Sequence, residues 1–192
     1  MARRKLGILI SGRGSNMAAL IEASRAEDCP YEVALVASDK PEAPGLAWAR
    51  EQGIATFAHS PKGIPKPEYE AAIDAALREA GVEAIALAGY MRLLSDDFVT
   101  RWRDRIVNIH PSLLPKYKGL DTHARALAMG DQKAGCTVHI VTEELDGGSI
   151  LGQAEVRIEA RDTAETLAAR VLGEEHRLYP KVVAKWLTTL PR

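Results

Sequence analysis

The chain has 192 residues, 46% of them hydrophobic and 27% charged, with a formal net charge of -1. That balance fits one globular domain over residues 1–192, long enough to bury a core, and excludes a disordered chain. The longest apolar runs, such as Ile85–Ala88, fall far short of the ~18–20 residues of a membrane span, and near-neutral charge argues against general nucleic-acid binding.

Basic residues precede the first apolar run, but Ser11–Asn16 follows at once, so the apolar core of a signal peptide is missing. Leu6–Ile10 reads instead as a buried strand. Asn16–Arg25 follows as a helix, with Met17, Leu20 and Ile21 near helical spacing. Glu32–Ala37 is the next strand, Ala43–Gln52 a helix closed by Gly53, and Ile54–Ala58 a short strand. His59–Pro67, with three prolines, reads as a surface loop, with a lid as one alternative. Glu68–Ala80 is a helix ended by Gly81, and Val82–Ala88 is strand-like. Ser95 has the place of an N-cap for a short helix through Trp102, and Arg105–His110 is a strand running into Pro111. Cys136–Val141 and Ile150–Ile158 are strand candidates able to pair as an antiparallel hairpin. Asp162–Trp186 closes the pattern as one helical stretch, with a bend expected at Pro180.

This alternation predicts an α/β fold: a mainly parallel twisted sheet with helices on both faces and a late antiparallel addition. Cys29 and Cys136 make neither a disulfide framework nor a zinc site, so the expectation is a reduced, cytoplasmic protein.

Ser11-Gly12-Arg13-Gly14-Ser15-Asn16 lies between the first strand and the first helix. In such a sheet, ligands sit beyond the carboxyl ends of the strands. Glycines admit an anion close to the backbone, and the helix start offers unpaired N–H groups. Ser15 or Asn16 is placed to cap the helix and to donate to a phosphate oxygen. The run has neither the P-loop pattern nor the third glycine of a dinucleotide fingerprint, so it suits a monophosphate. It reads equally as a tight turn with an ordinary N-cap.

On the strand Val107-Asn108-Ile109-His110, alternation puts Asn108 and His110 on one face. An amide beside an imidazole makes an oxyanion clamp and an acid/base pair. Asp146, in Asp146-Gly147-Gly148, is placed to reach the imidazole, orient it and favour its charged form. The bland alternative is a histidine bonded to a turn and an aspartate that only shapes its loop. His139 shares a strand face with Thr137 and reads as a hydrogen-bonded structural histidine rather than a metal ligand. His59, His123 and His176 have no metal-ligand spacing. Lys116 and Lys118 flank Tyr117, either as solvated residues or as attractors of an anionic substrate.

Four segments occur in order: Ser11–Asn16, Leu87-Ala88-Gly89-Tyr90-Met91-Arg92-Leu93-Leu94, Asn108-Ile109-His110-Pro111-Ser112-Leu113-Leu114-Pro115 and Glu144-Leu145-Asp146-Gly147-Gly148. Together they resemble the phosphoribosylglycinamide formyltransferases, a folate-dependent family of purine synthesis, over essentially the whole chain. Gly119-Leu120-Asp121-Thr122-His123 resembles the glycinamide ribonucleotide branch in particular.

The resemblance implies a Rossmann-like formyltransferase fold and a reaction. The formyl group of 10-formyltetrahydrofolate, a cosubstrate, passes to the amine of glycinamide ribonucleotide, with no metal. It implies Asn108, His110 and Asp146 as catalytic residues and Gly14, Ser15 and Asn16 as phosphate-binding. Glu175 would lie near the substrate amine, where the residues alone read as a solvated helix face. Lys66, Met91, Arg92, Leu93, Leu94 and Asn108 would contact the folate.

Three positions depart from the family pattern. Arg13 replaces an Asn, which should favour anion binding. Leu172 stands where a Gln is common, and Lys66 where an Arg is common. Related formyltransferases hydrolyse formylfolate or act on methionyl-tRNA, but they carry an additional regulatory or RNA-binding domain. A noncatalytic folate- or nucleotide-binding module is the remaining alternative, disfavoured by the co-occurrence of Asn108, His110 and Asp146. Monomer and homodimer both remain open.

Overall fold

The computed structural model describes residues 2–191. Its strands are β1 (Arg4–Ile10), β2 (Tyr31–Ser38), β3 (Thr56–Ala58), β4 (Ala84–Leu87), β5 (Ile106–His110), β6 (Lys133–Ile140) and β7 (Ile150–Arg157). Its helices are α1 (Ser15–Ala23), α2 (Pro44–Glu51), α3 (Lys66–Glu79), α4 (Asp96–Arg101), α5 (Thr122–Ala128) and α6 (Ala164–Thr189). One seven-stranded sheet runs β3-β2-β1-β4-β5-β6-β7. The strands from β3 to β5 are parallel, and β6 and β7 join antiparallel.

Period-2 alternation divides the strands between two apolar layers. Leu6, Ile8 and Ile10 of β1 face the layer packed by α1, α2 and α6, while Leu9 faces the layer of α3 and α4. Gly7 lets α3 approach, since a Cβ there would lie 2.6 Å from Leu77. Fully buried Tyr179 of α6 donates its hydroxyl proton to the Leu87 carbonyl at 2.9 Å, with Val107 O at 3.3 Å. That contact ties α6 to the carboxyl end of β4 and to the start of β5.

The expected elements are present, with shifted ends. The Val82 N–H closes the end of α3 on Leu77 O, so β4 starts later than Val82. Pro67 sits in the first turn of α3, where a missing N–H costs nothing, so the preceding loop is shorter than expected. Ser95 caps α4 as expected, accepting from the Phe98 N–H. Helix α6 continues through Pro180 and opens with a Thr163–Thr166 capping box. Helix α5 had no expectation. It is short, and its N-cap Asp121 is left-handed with no side-chain cap, so the usual start signal is missing. Among the described residues no helix is long and apolar enough to cross a membrane.

Candidate active site

Strand order reverses between β1 and β4, where the loops after these two strands diverge. A cleft of about 1070 Å³ opens in this region. Asn16, Lys66, Met91, Arg92, Leu93, Leu94, Asn108, His110, Asp146 and Glu175 all line it. Gly14 and Ser15 do not; they lie at the start of α1, next to Asn16.

Contrary to expectation, neither Ser15 nor Asn16 caps α1. Gly14 is the N-cap of α1, left-handed at φ 71°, and no side chain caps the helix. Ser15 is the first helical residue. Asn16 turns inward, and its Nδ2 donates to Glu175 Oε2 at 2.7 Å. With no side-chain cap, the N–H groups of the first turn remain suited to an anion. The loop is held from behind, because the Gly45 N–H of α2 donates to Gly12 O at 3.1 Å.

Glu175 is 7% exposed, so the solvated-face reading does not hold. Burial raises its pKa, and the Asn16 amide pulls it part of the way back. The Oδ1 of Asn16 is buried and has no hydrogen-bond partner. Amide and carboxylate together present both donor and acceptor capacity to a polar ligand.

Asn108 and His110 do share a face of β5, with Val107 in the core behind them. The antiparallel register sets His139 of β6 directly opposite Asn108. His139 Nδ1 lies 2.9 Å from Ile140 O and its Nε2 lies 3.3 Å from Asn108 Nδ2. A carbonyl only accepts, so Nδ1 carries the ring proton and Nε2 accepts from the amide. Burial lowers the pKa of His139, against the opposing pulls of Ile140 O and Asp146, and favours this neutral ring.

His110 Nδ1 is 3.4 Å from Asp146 Oδ2, and the two side chains are 8% and 6% exposed. His110 Nε2 is 2.9 Å from Tyr117 O. The imidazole therefore lies between two acceptors, and only a doubly protonated ring can donate to both. Asp146, at φ 49°, also accepts from the Gly119 N–H at 2.9 Å. It thereby joins the loop after β6 to the loop before α5.

On the β4 side the rim is apolar. Met91 and Leu93 are 67% and 66% exposed, and Leu120 and Leu145 are exposed on the lining of the same cleft. Such a concentration of large apolar side chains marks a ligand surface. The Arg92 guanidinium lies 5.1 Å from the Tyr69 ring centre, and Lys66 sits 3.9 Å from Glu70. Leu172 is half-buried and does not line the cleft.

Three contacts escaped the sequence reading. The Tyr117 carbonyl is a main-chain atom with no residue-type signal. His139 follows from alternation only once β6 is known to pair with β5. Ser11, inside the quoted glycine loop, bonds to the loop after β4.

The formyl transferase family model matches residues 4–183. The phosphoribosylglycinamide formyltransferase of Haemophilus influenzae is 42% identical over 186 residues, covering 96% of this chain and 87% of that protein. The trifunctional purine biosynthetic protein adenosine-3 of Gallus gallus is 44% identical over 92% of this chain, which spans only 18% of that protein's length. The crystal structure of phosphoribosylglycinamide formyltransferase from Brucella melitensis superposes with a TM-score of 0.94 at 53% identity, covering 100% of this chain and 99% of that one. The chain therefore belongs to the formyl transferase family.

Proposed function

We propose that this protein transfers the formyl group of 10-formyltetrahydrofolate to the primary amine of glycinamide ribonucleotide. The products are formylglycinamide ribonucleotide and tetrahydrofolate. One observation carries the reading: a single cleft runs from Asn16, in the uncapped first turn of α1, to the Asn108, His110 and Asp146 side chains and an apolar rim. The relatives' names support the same acceptor.

In this account the first turn of α1 and its glycine loop bind the phosphate. Glu175, held by Asn16, accepts a hydrogen bond from the substrate amine. Met91, Arg92, Leu93 and Leu94 border the folate ring, and Lys66 and Arg92 supply positive charge near its acidic tail. The amine attacks the formyl carbon, so the protein needs no nucleophile of its own. A C–N bond forms, and the carbonyl oxygen takes the electron pair of the former double bond. Asn108 donates to that oxygen, and the charged ring of His110 joins it once its Nε2–H turns from Tyr117 O to the oxyanion; such a donor contributes on the order of 10²–10³ in rate. Asp146 holds the ring. Collapse of the intermediate breaks the bond to the folate nitrogen, which receives the proton given up by the amine.

The enzyme is read as a cytoplasmic one. Cys29 and Cys136 are free, and burial pushes the Cys136 thiol up to about 12, which keeps it unreactive. The test is formyl transfer with glycinamide ribonucleotide, its des-phospho analogue and water as competing acceptors. The ribonucleotide should take the formyl group, and the des-phospho analogue should do so poorly. Release of free formate as the main product would instead make the protein a hydrolase.

A further inference from the structure

Ser11 is 4% exposed and directly follows β1, at the point where strand order reverses. Its backbone N–H donates to Gly89 O at 3.2 Å. Its Oγ accepts from the Met91 N–H at 2.9 Å. Both bonds leave the glycine loop of β1 and end in the loop after β4. That second loop is anchored separately at its far end, where Ser95 N donates to Glu70 Oε1 at 2.8 Å and Ser95 Oγ donates to Glu70 Oε2. Glu70, on α3, is 2% exposed. Between these anchors Met91 and Leu93 project outward into the cleft.

We propose that Ser11 is a positioning residue that couples the two substrate subsites, so that ribonucleotide and folate each tighten the binding of the other. The inference rests on the proposed function, which puts a phosphate on the loop after β1 and a folate on the loop after β4. A phosphate drawn to the Gly12–Asn16 backbone fixes that loop. Ser11 passes the constraint directly to the Met91 amide, with no intervening side chain. Ordering one loop lowers the cost of ordering the other, and the linkage is reciprocal. Glu70 holds the folate loop from α3 and has no bond to the glycine loop. The two anchors therefore differ in what they transmit.

Calorimetric titration separates them, using glycinamide ribonucleotide and a non-transferring folate analogue, each alone and with the other saturating. Wild type should bind the folate analogue severalfold more tightly when ribonucleotide is present, with an equal reciprocal gain. Ser11→Ala should weaken the folate analogue by up to about tenfold, as expected from losing one half-buried hydrogen bond, and should abolish the mutual gain. In turnover its loss should fall on KM for folate more than on kcat. Ser11→Thr keeps the acceptor oxygen and should restore coupling. Glu70→Gln should weaken the folate analogue and keep the coupling. Wild-type coupling that survives in Ser11→Ala, or that disappears equally in Glu70→Gln, overturns the inference. So does wild type that binds both ligands independently. Failure of wild type to bind the ribonucleotide or the folate analogue at all overturns the functional reading instead.

Discussion

Asn108 and His139 face each other across the antiparallel pair β5–β6, with Nδ2 3.3 Å from Nε2. Because Ile140 O fixes the proton on Nδ1, His139 holds the Asn108 amide with its NH₂ group toward the ring. In the proposed reaction His139 therefore acts through Asn108. Asn108→Ala should lower kcat on the order of 10²–10³, the usual cost of one oxyanion donor. His139→Leu should lower it about tenfold, since an amide without its partner loses orientation. In the double variant, His139→Leu should add little to the loss from Asn108→Ala. Additive losses in that cycle would mean that His139 acts by another route.

Glu175 combines burial with the role proposed for it at the substrate amine, and the two requirements conflict. Burial raises its pKa in the folded chain above the unfolded value. Between those values the folded chain holds a proton that the unfolded chain has released, so stability falls as pH rises through the window. Above the window the whole penalty is present. Glu175→Gln removes it and should raise Tm at pH 8. The advantage should shrink toward pH 4, where the carboxyl of the parent protein is neutral. The same variant should lose affinity for the ribonucleotide amine. Thermal melts across pH, set beside KM for ribonucleotide, check both halves.

Gly14 caps α1 in a left-handed conformation, and a Cβ there would meet Met17 Cε at 3.0 Å. Gly14→Ala should cost about 1–2 kcal/mol of stability from the conformation alone. Gly14→Val should cost more and raise KM for the ribonucleotide by tenfold or greater, with KM for folate little changed. Gly14→Asn, which tolerates this conformation, should recover most of the stability. Equal effects on both KM values would remove the glycine loop from phosphate binding.

The sheet, its antiparallel extension and the shared face of Asn108 and His110 are legible in the sequence, because they depend on local periodicity. Pro67, Val82 and Asp121 show where that legibility ends. The first two depend on which backbone group completes a helix turn, and the third starts a helix from a left-handed residue with no capping bond. The position of Asn16 makes it a cap candidate, but a buried carboxylate 159 residues away takes its amide. The Ser11–Met91 contact likewise involves a main-chain group brought near by strand order, and the His110–Tyr117 contact one returned by the loop after β5, and residue type alone carries no trace of either.

The catalytic account turns on the 3.4 Å approach of Asp146 to His110. Asp146→Asn keeps the size of the side chain and removes its charge. The decisive measurement is the single-turnover rate of formyl transfer in Asp146→Asn against wild type, with both substrates shown by titration to be saturating. The account predicts a fall on the order of 10² or more, comparable to losing an oxyanion donor, with ligand affinities altered little. A rate near that of wild type would contradict it, and would leave Asp146 as a residue that only shapes its Gly-Gly loop.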